Sequence, residues 1–183
     1  YAEGAGDALD PGFCLSDLVT VQATDGTSQT ILITITGSDD APVVTGVVTG
    51  TLSEDATTAS GTLSISDVDG DDSPAFNDVP TKPGDNSYGS FELRSGAWTY
   101  TLNNASVQNL DAGDSVTDTT TYTATDGTVQ VVTVTITGSD DAPVVTGVVT
   151  ASLGEDATTA SGTVSISDVD GDDSPVFNDV AST

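Results

Sequence analysis

The sequence predicts an all-β protein made of tandem two-sheet sandwiches with Greek-key connections, and three observations carry that reading. The chain repeats itself at a spacing close to the size of one sandwich. Its apolar residues alternate with hydroxyl residues in short runs, and turns rich in Gly, Asp and Ser separate those runs.

The repeat comes first because it sets the organisation. ITGSDDAPVVTGVVT at 35–49 returns unchanged at 136–150, EDATTASGT at 54–62 returns at 155–163, and SISDVDGDDSP at 64–74 returns at 165–175. LDPG at 9–12 matches LDAG at 110–113, and ATDGT at 23–27 recurs at 124–128. The offset is 101 residues in every case. A unit of about 100 residues is one immunoglobulin-like sandwich, whereas a solenoid turn takes roughly 20–45. The chain therefore divides into the C-terminal part of one immunoglobulin-like repeat (1–40), a complete repeat (41–141) and the N-terminal part of a third (142–183). Together the outer parts fall 19 residues short of a full repeat, the missing stretch corresponding to 83–101. The simplest reading is a segment of a longer array. The alternative is an extracellular fibre, a homopolymer in which the two outer halves complement each other between chains.

Within the complete repeat the strands follow in order. VVTGVVTGTL (43–52) reads as one first strand and GTLSIS (61–66) as the second, while 74–80 is a faint third. YGSFELR (88–94) and AWTYTL (97–102) form a hairpin across Ser95-Gly96, with Phe91, Leu93, Trp98, Tyr100 and Leu102 inward. VTDTTTYTAT (116–125) and VQVVTVTIT (129–137) form another across Asp126-Gly127. In the last strand Val132, Val134 and Ile136 alternate with Thr133, Thr135 and Thr137, an apolar-inside, hydroxyl-outside pattern.

Composition excludes whole classes of function. Asp and Glu number 29 against two Lys and Arg, for a net charge of −27 at pH 7, and there is no His. That charge repels phosphate backbones and anionic membrane surfaces, so no nucleic acid and no direct membrane insertion are expected. Without His there is no Ser-His-Asp or Cys-His relay and no imidazole zinc ligand, and Cys14 alone closes no internal disulfide. Apolar residues make up 36%, below the roughly 45–50% of globular domains, which on its own favours disorder. The 31 Thr and the many Val favour strands and outweigh that signal.

Seven strands traversing a sandwich place the acids at its ends. Glu54, Asp55, Asp111, Asp114, Asp140 and Asp141 fall at one end, and Asp67, Asp69, Asp71, Asp72 and Asp126 at the other. In a tandem array the first end of one repeat meets the second end of the next, so each junction gathers carboxylates from two repeats and their linker. Like charges so placed drive the repeats apart unless a cation intervenes. Ca2+, with six to eight flexible oxygen ligands, suits the cluster better than Mg2+. DVDGDDSPAFND (67–78) also resembles an EF-hand calcium loop, with Asp67, Asp69 and Asp71 at its first, third and fifth positions. It lacks the Gly at the sixth position and the flanking helices, so a true EF-hand is rejected, and the same acids are expected to bind calcium from a β loop.

The residues also carry a family resemblance. GTLSISDVDGD, YGSFELRSGAWTYTL, LDAGDSVTDTTTYTATDGT and VTVTITGSDDAP resemble the VCBS repeats of bacterial RTX-type surface adhesins, and the pattern is similar to that of cadherins. The cadherin resemblance implies ligand roles for Glu54 and Glu155 as an early acidic ligand. It implies the same for Asp111 in an L-D-R-E-like motif, Asp140 and Asp141 in the linker, Asp168 and Asp170 as D-x-D, and Asp126 as a late ligand. Gly113 stands where the glutamate of L-D-R-E belongs. The first junction would use Asp10, Asp39, Asp40, Asp67, Asp69 and Asp126, and the second Glu54, Asp111, Asp140, Asp141, Asp168 and Asp170. Asp71 and Asp172 complete the acidic loops.

The function implied is a calcium-stiffened spacer in a large secreted adhesin, supporting surface attachment or biofilm, extracellular or on the cell surface, and exported by type I secretion. Its partners are the neighbouring repeats. A carbohydrate- or protein-binding module is the alternative. It needs exposed aromatics, and most of the nine aromatic residues fall at inward positions. An enzyme using paired carboxylates is not expected, because the acids lie in end turns with no pocket signalled.

Overall fold

The computed structural model describes residues 8–69 and 72–180. The strands are β1 (Cys14–Gln22), β2 (Ser28–Thr36), β3 (Val43–Gly46), β4 (Thr49–Ser53), β5 (Thr58–Ser66), β6 (Val79–Pro83), β7 (Gly89–Arg94), β8 (Ala97–Leu102), β9 (Ser115–Thr123), β10 (Val129–Thr137), β11 (Val144–Gly147) and β12 (Val164–Ser167). The fold is all-β. Among the described residues the helical content is one short turn at Asn104–Ser106, and no helix is long and apolar enough to cross a membrane.

Strands β3 to β10 build a sandwich of a five-stranded sheet, in the order β3-β5-β8-β7-β6, and a three-stranded sheet, β4-β10-β9. The alternation in β8 and β10 determines the interior, since every second side chain faces the opposite sheet. Phe91, Leu93, Trp98, Tyr100, Val132, Val134 and Ile136 are fully buried in one cluster with Leu52, Leu63, Leu102, Val107 and Tyr122. The Phe91 and Tyr100 rings meet at 4.6 Å with a 52° tilt, a favoured aromatic geometry. Truncating a side chain such as Trp98 to Ala costs about 3–5 kcal/mol.

The first predicted strand is in fact two. β3 pairs antiparallel with β5, and β4 pairs parallel with β10 in the other sheet. The crossover is short: Val47 N–H still donates to the Thr62 carbonyl at 2.8 Å, while the Val48 carbonyl already accepts from Thr133 N–H at 3.0 Å. Gly46 makes it possible with φ +127°, where a Cβ would run into the Thr62 carbonyl oxygen.

The faint third strand also shifts, from 74–80 to Val79–Pro83. It lies at the sheet edge with its register broken between Val79 and Lys82, where Pro80 and Pro83 cannot donate to a ladder. The hairpin across Ser95-Gly96 stands as expected, with φ 48° and 76° matching the twist of the flanking strands.

The outer segments copy parts of the sandwich. β1–β2 repeats the register of β9–β10, and β11–β12 that of β3–β5, each displaced by 101 residues. Their inward rows are open: Ile31 and Ile33 are 47% and 44% exposed, where Val132 and Val134 are at 0%. No strand forms around 150–154, the counterpart of β4, because β4 is held by β10 and the third repeat has no such strand within the described residues.

Candidate metal centre

The alternating strand directions bring the β4–β5 turn, the 103–114 segment and the 138–142 linker to one end of the sandwich. Residues 67–69 and 72–78 and the β9–β10 turn lie at the other end. Three groups of carboxylates, each with one oxygen per residue and all within 4.8 Å of one another, gather at these ends: Asp39–Asp69–Asp72, Asp140–Asp170–Asp173 and Glu54–Asp141–Asp170. The first two are the same site in successive repeats, 101 residues apart. The third joins the β4–β5 turn, the linker and the loop of the following repeat.

Local backbone bonding shapes both loops identically. Asp69 N–H donates to Asp67 Oδ1 at 3.1 Å, and Asp170 N–H to Asp168 Oδ1 at 3.2 Å. Asp72 N–H turns back to the Asp69 carbonyl, and Asp173 N–H to the Asp170 carbonyl, both at 3.3 Å. This turn puts residues three apart on one side, so Asp72 and Asp173 join the groups although the alternating spacing did not single them out. Each linker then docks on its loop: Asp40 N–H donates to Asp69 Oδ2 at 2.7 Å, and Asp141 N–H to Asp170 Oδ2 at 2.6 Å. The loop of the third repeat also touches the complete one, with Gly171 N–H on the Asn109 carbonyl at 3.2 Å and Asp172 N–H on Asp111 Oδ1 at 3.3 Å.

Three of the grouped carboxylates are buried. Glu54 is 0% exposed and Asp69 and Asp170 are each 3% exposed. Glu54 Oε2, Asp69 Oδ1, Asp141 Oδ2 and Asp170 Oδ1 are buried with no hydrogen-bond partner. An ionised oxygen in that state costs several kcal/mol unless a cation serves it. Neither basic residue does: Arg94 pairs with Glu92 at 2.6 Å, and Lys82 Nζ donates to the Thr121 carbonyl at 3.0 Å. Burial, then the charges of Asp170, Asp55, Glu54 and Asp168, push Asp141 above the usual carboxylate value. Burial and the charges of Asp168, Asp140, Asp170 and Asp111 raise Asp173, and burial with Asp67, Asp39, Asp69 and Asp10 raises Asp72.

The donor set fits a hard divalent cation. Oxygens on opposite sides of a Ca2+ ion stand about 4.6–5.2 Å apart, twice the Ca–O distance, and the three groups are that compact. The candidate donors are carboxylates on turns and linkers, a set that suits the six to eight oxygens of Ca2+ better than the rigid octahedron of Mg2+.

The remaining sequence-named residues take other places. Asp126 sits in the β9–β10 turn, where it accepts from Thr128 N–H and Oγ1, each at 2.9 Å. It also lines an open hollow of about 410 Å³ with Asp39, Asp40, Asp67 and Asp72. Asp10 bears on the same end through its charge on Asp72. Glu155 is exposed in a stretch without strand pairing and joins none of the groups. Asp71 lies outside the described residues.

No curated protein matches the chain. Among solved structures, PcdhgB3 EC1-4 is 17% identical with a TM-score of 0.40, the match covering 85% of this chain and 48% of that one. A 1.5-MDa bacterial ice-binding adhesin is 23% identical over 69% of this chain and 42% of its own, with a TM-score of 0.27. A Ca2+-stabilized adhesin of an Antarctic bacterium is 17% identical over 73% of this chain and 34% of its own, with a TM-score of 0.24. The chain spans less than half the length of each. Residues 39–138, most of the complete repeat together with Asp39 and Asp40 before it, match the bacterial cadherin-like domain. This chain belongs to the bacterial cadherin-like domain family.

Proposed function

We propose that this chain is a calcium-stiffened extender of a bacterial surface adhesin, its repeats locked end to end by ions at the junctions. The observation that carries the reading is the Glu54–Asp141–Asp170 group. It takes one carboxylate from a repeat, one from the linker and one from the next repeat, and leaves a buried oxygen on each without a partner. Calcium at that point satisfies all three and fixes the angle between repeats. Without it, the same charges repel. Asp140–Asp170–Asp173 needs only the linker and the following repeat, and it shares Asp170, so the two ion positions are coupled. An extracellular or cell-surface location, where calcium is plentiful, accords with this role.

Small-angle scattering and thermal melting with calcium and then with chelator test the proposal. Calcium should raise the melting temperature and give a single extended dimension, whereas chelator should broaden the distribution. Identical curves in both conditions would refute it.

A fibre built by complementing outer halves is favoured by one observation, the open inward rows of β1–β2 and β11–β12. It is the weaker reading. Phe91, Leu93, Trp98 and Tyr100, all fully buried on β7 and β8, have no counterpart in either half. A glycan-binding role also has little support, since Trp98, Tyr100, Tyr122 and Phe91 are used in the core.

A further inference from the structure

Resting on the calcium reading, we infer that Ser139 is a positioning residue that aims Glu54 at the ion joining consecutive repeats. Glu54 is gripped on three sides. Its N–H donates to the Thr137 carbonyl at 2.9 Å, its own carbonyl accepts from Asn104 Nδ2, and its Oε1 accepts from Ser139 N–H at 2.7 Å. The Ser139 hydroxyl lies 3.2 Å from the same Oε1 and 2.9 Å from Asp55 Oδ2. A hydroxyl has one hydrogen to share between those two carboxylates, so it ties the neighbouring acids of the β4–β5 turn to the linker and to each other.

The consequence is an oriented ligand. With Oε1 held, Glu54 has a single oxygen to offer, Oε2, which is buried and unpartnered on a residue grouped with Asp141 and Asp170. Ser139 stands two residues before Asp141, so one short stretch of linker both supplies a ligand and orients another. A rotated Glu54 would present both oxygens or neither, and the geometry of the joining site would be lost. Outer contacts of this kind fix ligand orientation, and losing one typically costs about 10–100-fold in metal affinity.

The test uses the full chain, freed of metal by chelator and titrated with CaCl2 by calorimetry. Ser139→Ala should weaken calcium binding at the junction that holds Glu54, Asp141 and Asp170 about tenfold and leave the Asp39–Asp69–Asp72 group unchanged, and Ser139→Thr should restore the affinity. Ser38→Ala, the counterpart change beside the Asp39–Asp69–Asp72 group, which contains no Glu, should leave every site unchanged. The melting temperature in chelator should be the same for Ser139→Ala and wild type. Wild-type affinity in Ser139→Ala overturns the inference while the calcium reading stands, as does a loss matched by an equal fall in the calcium-free melting temperature. A wild-type chain that binds no calcium overturns the reading and this inference with it.

Discussion

The hydroxyl of Tyr100 donates to Oδ2 of Asp118 at 3.1 Å inside the sandwich, tying β8 of the five-stranded sheet to β9 of the three-stranded one. Asp118 is fully buried and far from being an ion ligand. Its oxygens also accept from Gly89 N–H at 3.1 Å, Asn86 N–H at 2.9 Å and Thr119 N–H at 3.0 Å. One carboxylate thus holds the 84–89 loop, β8 and β9 together, and Gly84 packs so close that it has no room for a side chain.

Asp118→Ala strips partners from these buried donors and leaves a void, so it should cost roughly 2–4 kcal/mol. Denaturant unfolding should show the same loss with calcium and with chelator. A loss confined to the calcium-loaded form would mean that Asp118 serves the metal.

Alkaline pH should unfold the sandwich from within. Burial, then the Asp118 charge and hydrogen bond, push the Tyr100 hydroxyl well above its ordinary value of 10.0. Burial and the Glu92 charge raise Tyr122 to about 12. A raised folded value favours the neutral form in the native state, so this stability is complete below pH 10 and declines as pH climbs through 12. Tyrosinate absorbance should rise together with unfolding; ionisation of both phenols in a still-folded protein would contradict the packing.

The two proposed ion ligands should respond differently to substitution. Asp170 belongs to two groups, so Asp170→Asn should give a chain that behaves in calcium as wild type does in chelator at that junction. Glu54→Gln removes a buried charge that lacks a cation partner in the metal-free chain. It should raise metal-free stability by about 1–2 kcal/mol and lower calcium-loaded stability by a similar amount. Melting curves in both conditions check the sign, and a change of the same sign in both would argue against an ion at Glu54.

Mild acid should partly stand in for calcium. Asp72, Asp141 and Asp173 titrate above the ordinary 3.8. Their favourable contribution is therefore complete below pH 3.8 and is lost as pH rises through their folded-state values. In chelator, scattering at mildly acidic pH should show narrower inter-repeat distributions than at neutral pH. The reverse trend would show that charge repulsion does not govern the junction.

How far the molecule was legible depended on the range of the interactions. The hairpin at Ser95-Gly96, the buried row Val132, Val134 and Ile136, and the gathering of acids at the ends all followed from turn chemistry, period-two alternation and the 101-residue offset. The split of β3 from β4 did not, because an unbroken run of Val, Thr and Gly says nothing about which sheet will receive it. The partners Thr62 and Thr133 decide that, and they lie on different sheets. Asp72, though placed at the right end, and Asp173 were not singled out as ligands, because spacing assumed an extended loop whereas the chain turns back on Asp69 and Asp170.

By itself, then, the sequence determined an all-β repeat with its carboxylates at the ends, since strand period, turn residues and charge are local properties. Only the tertiary structure decided which acids meet. Among many similar Asp and Glu residues it buries Asp118 as a core anchor, and it leaves Glu54, Asp141 and Asp170 each with a buried oxygen that has no hydrogen-bond partner. That distinction comes from long-range packing and the partners it supplies.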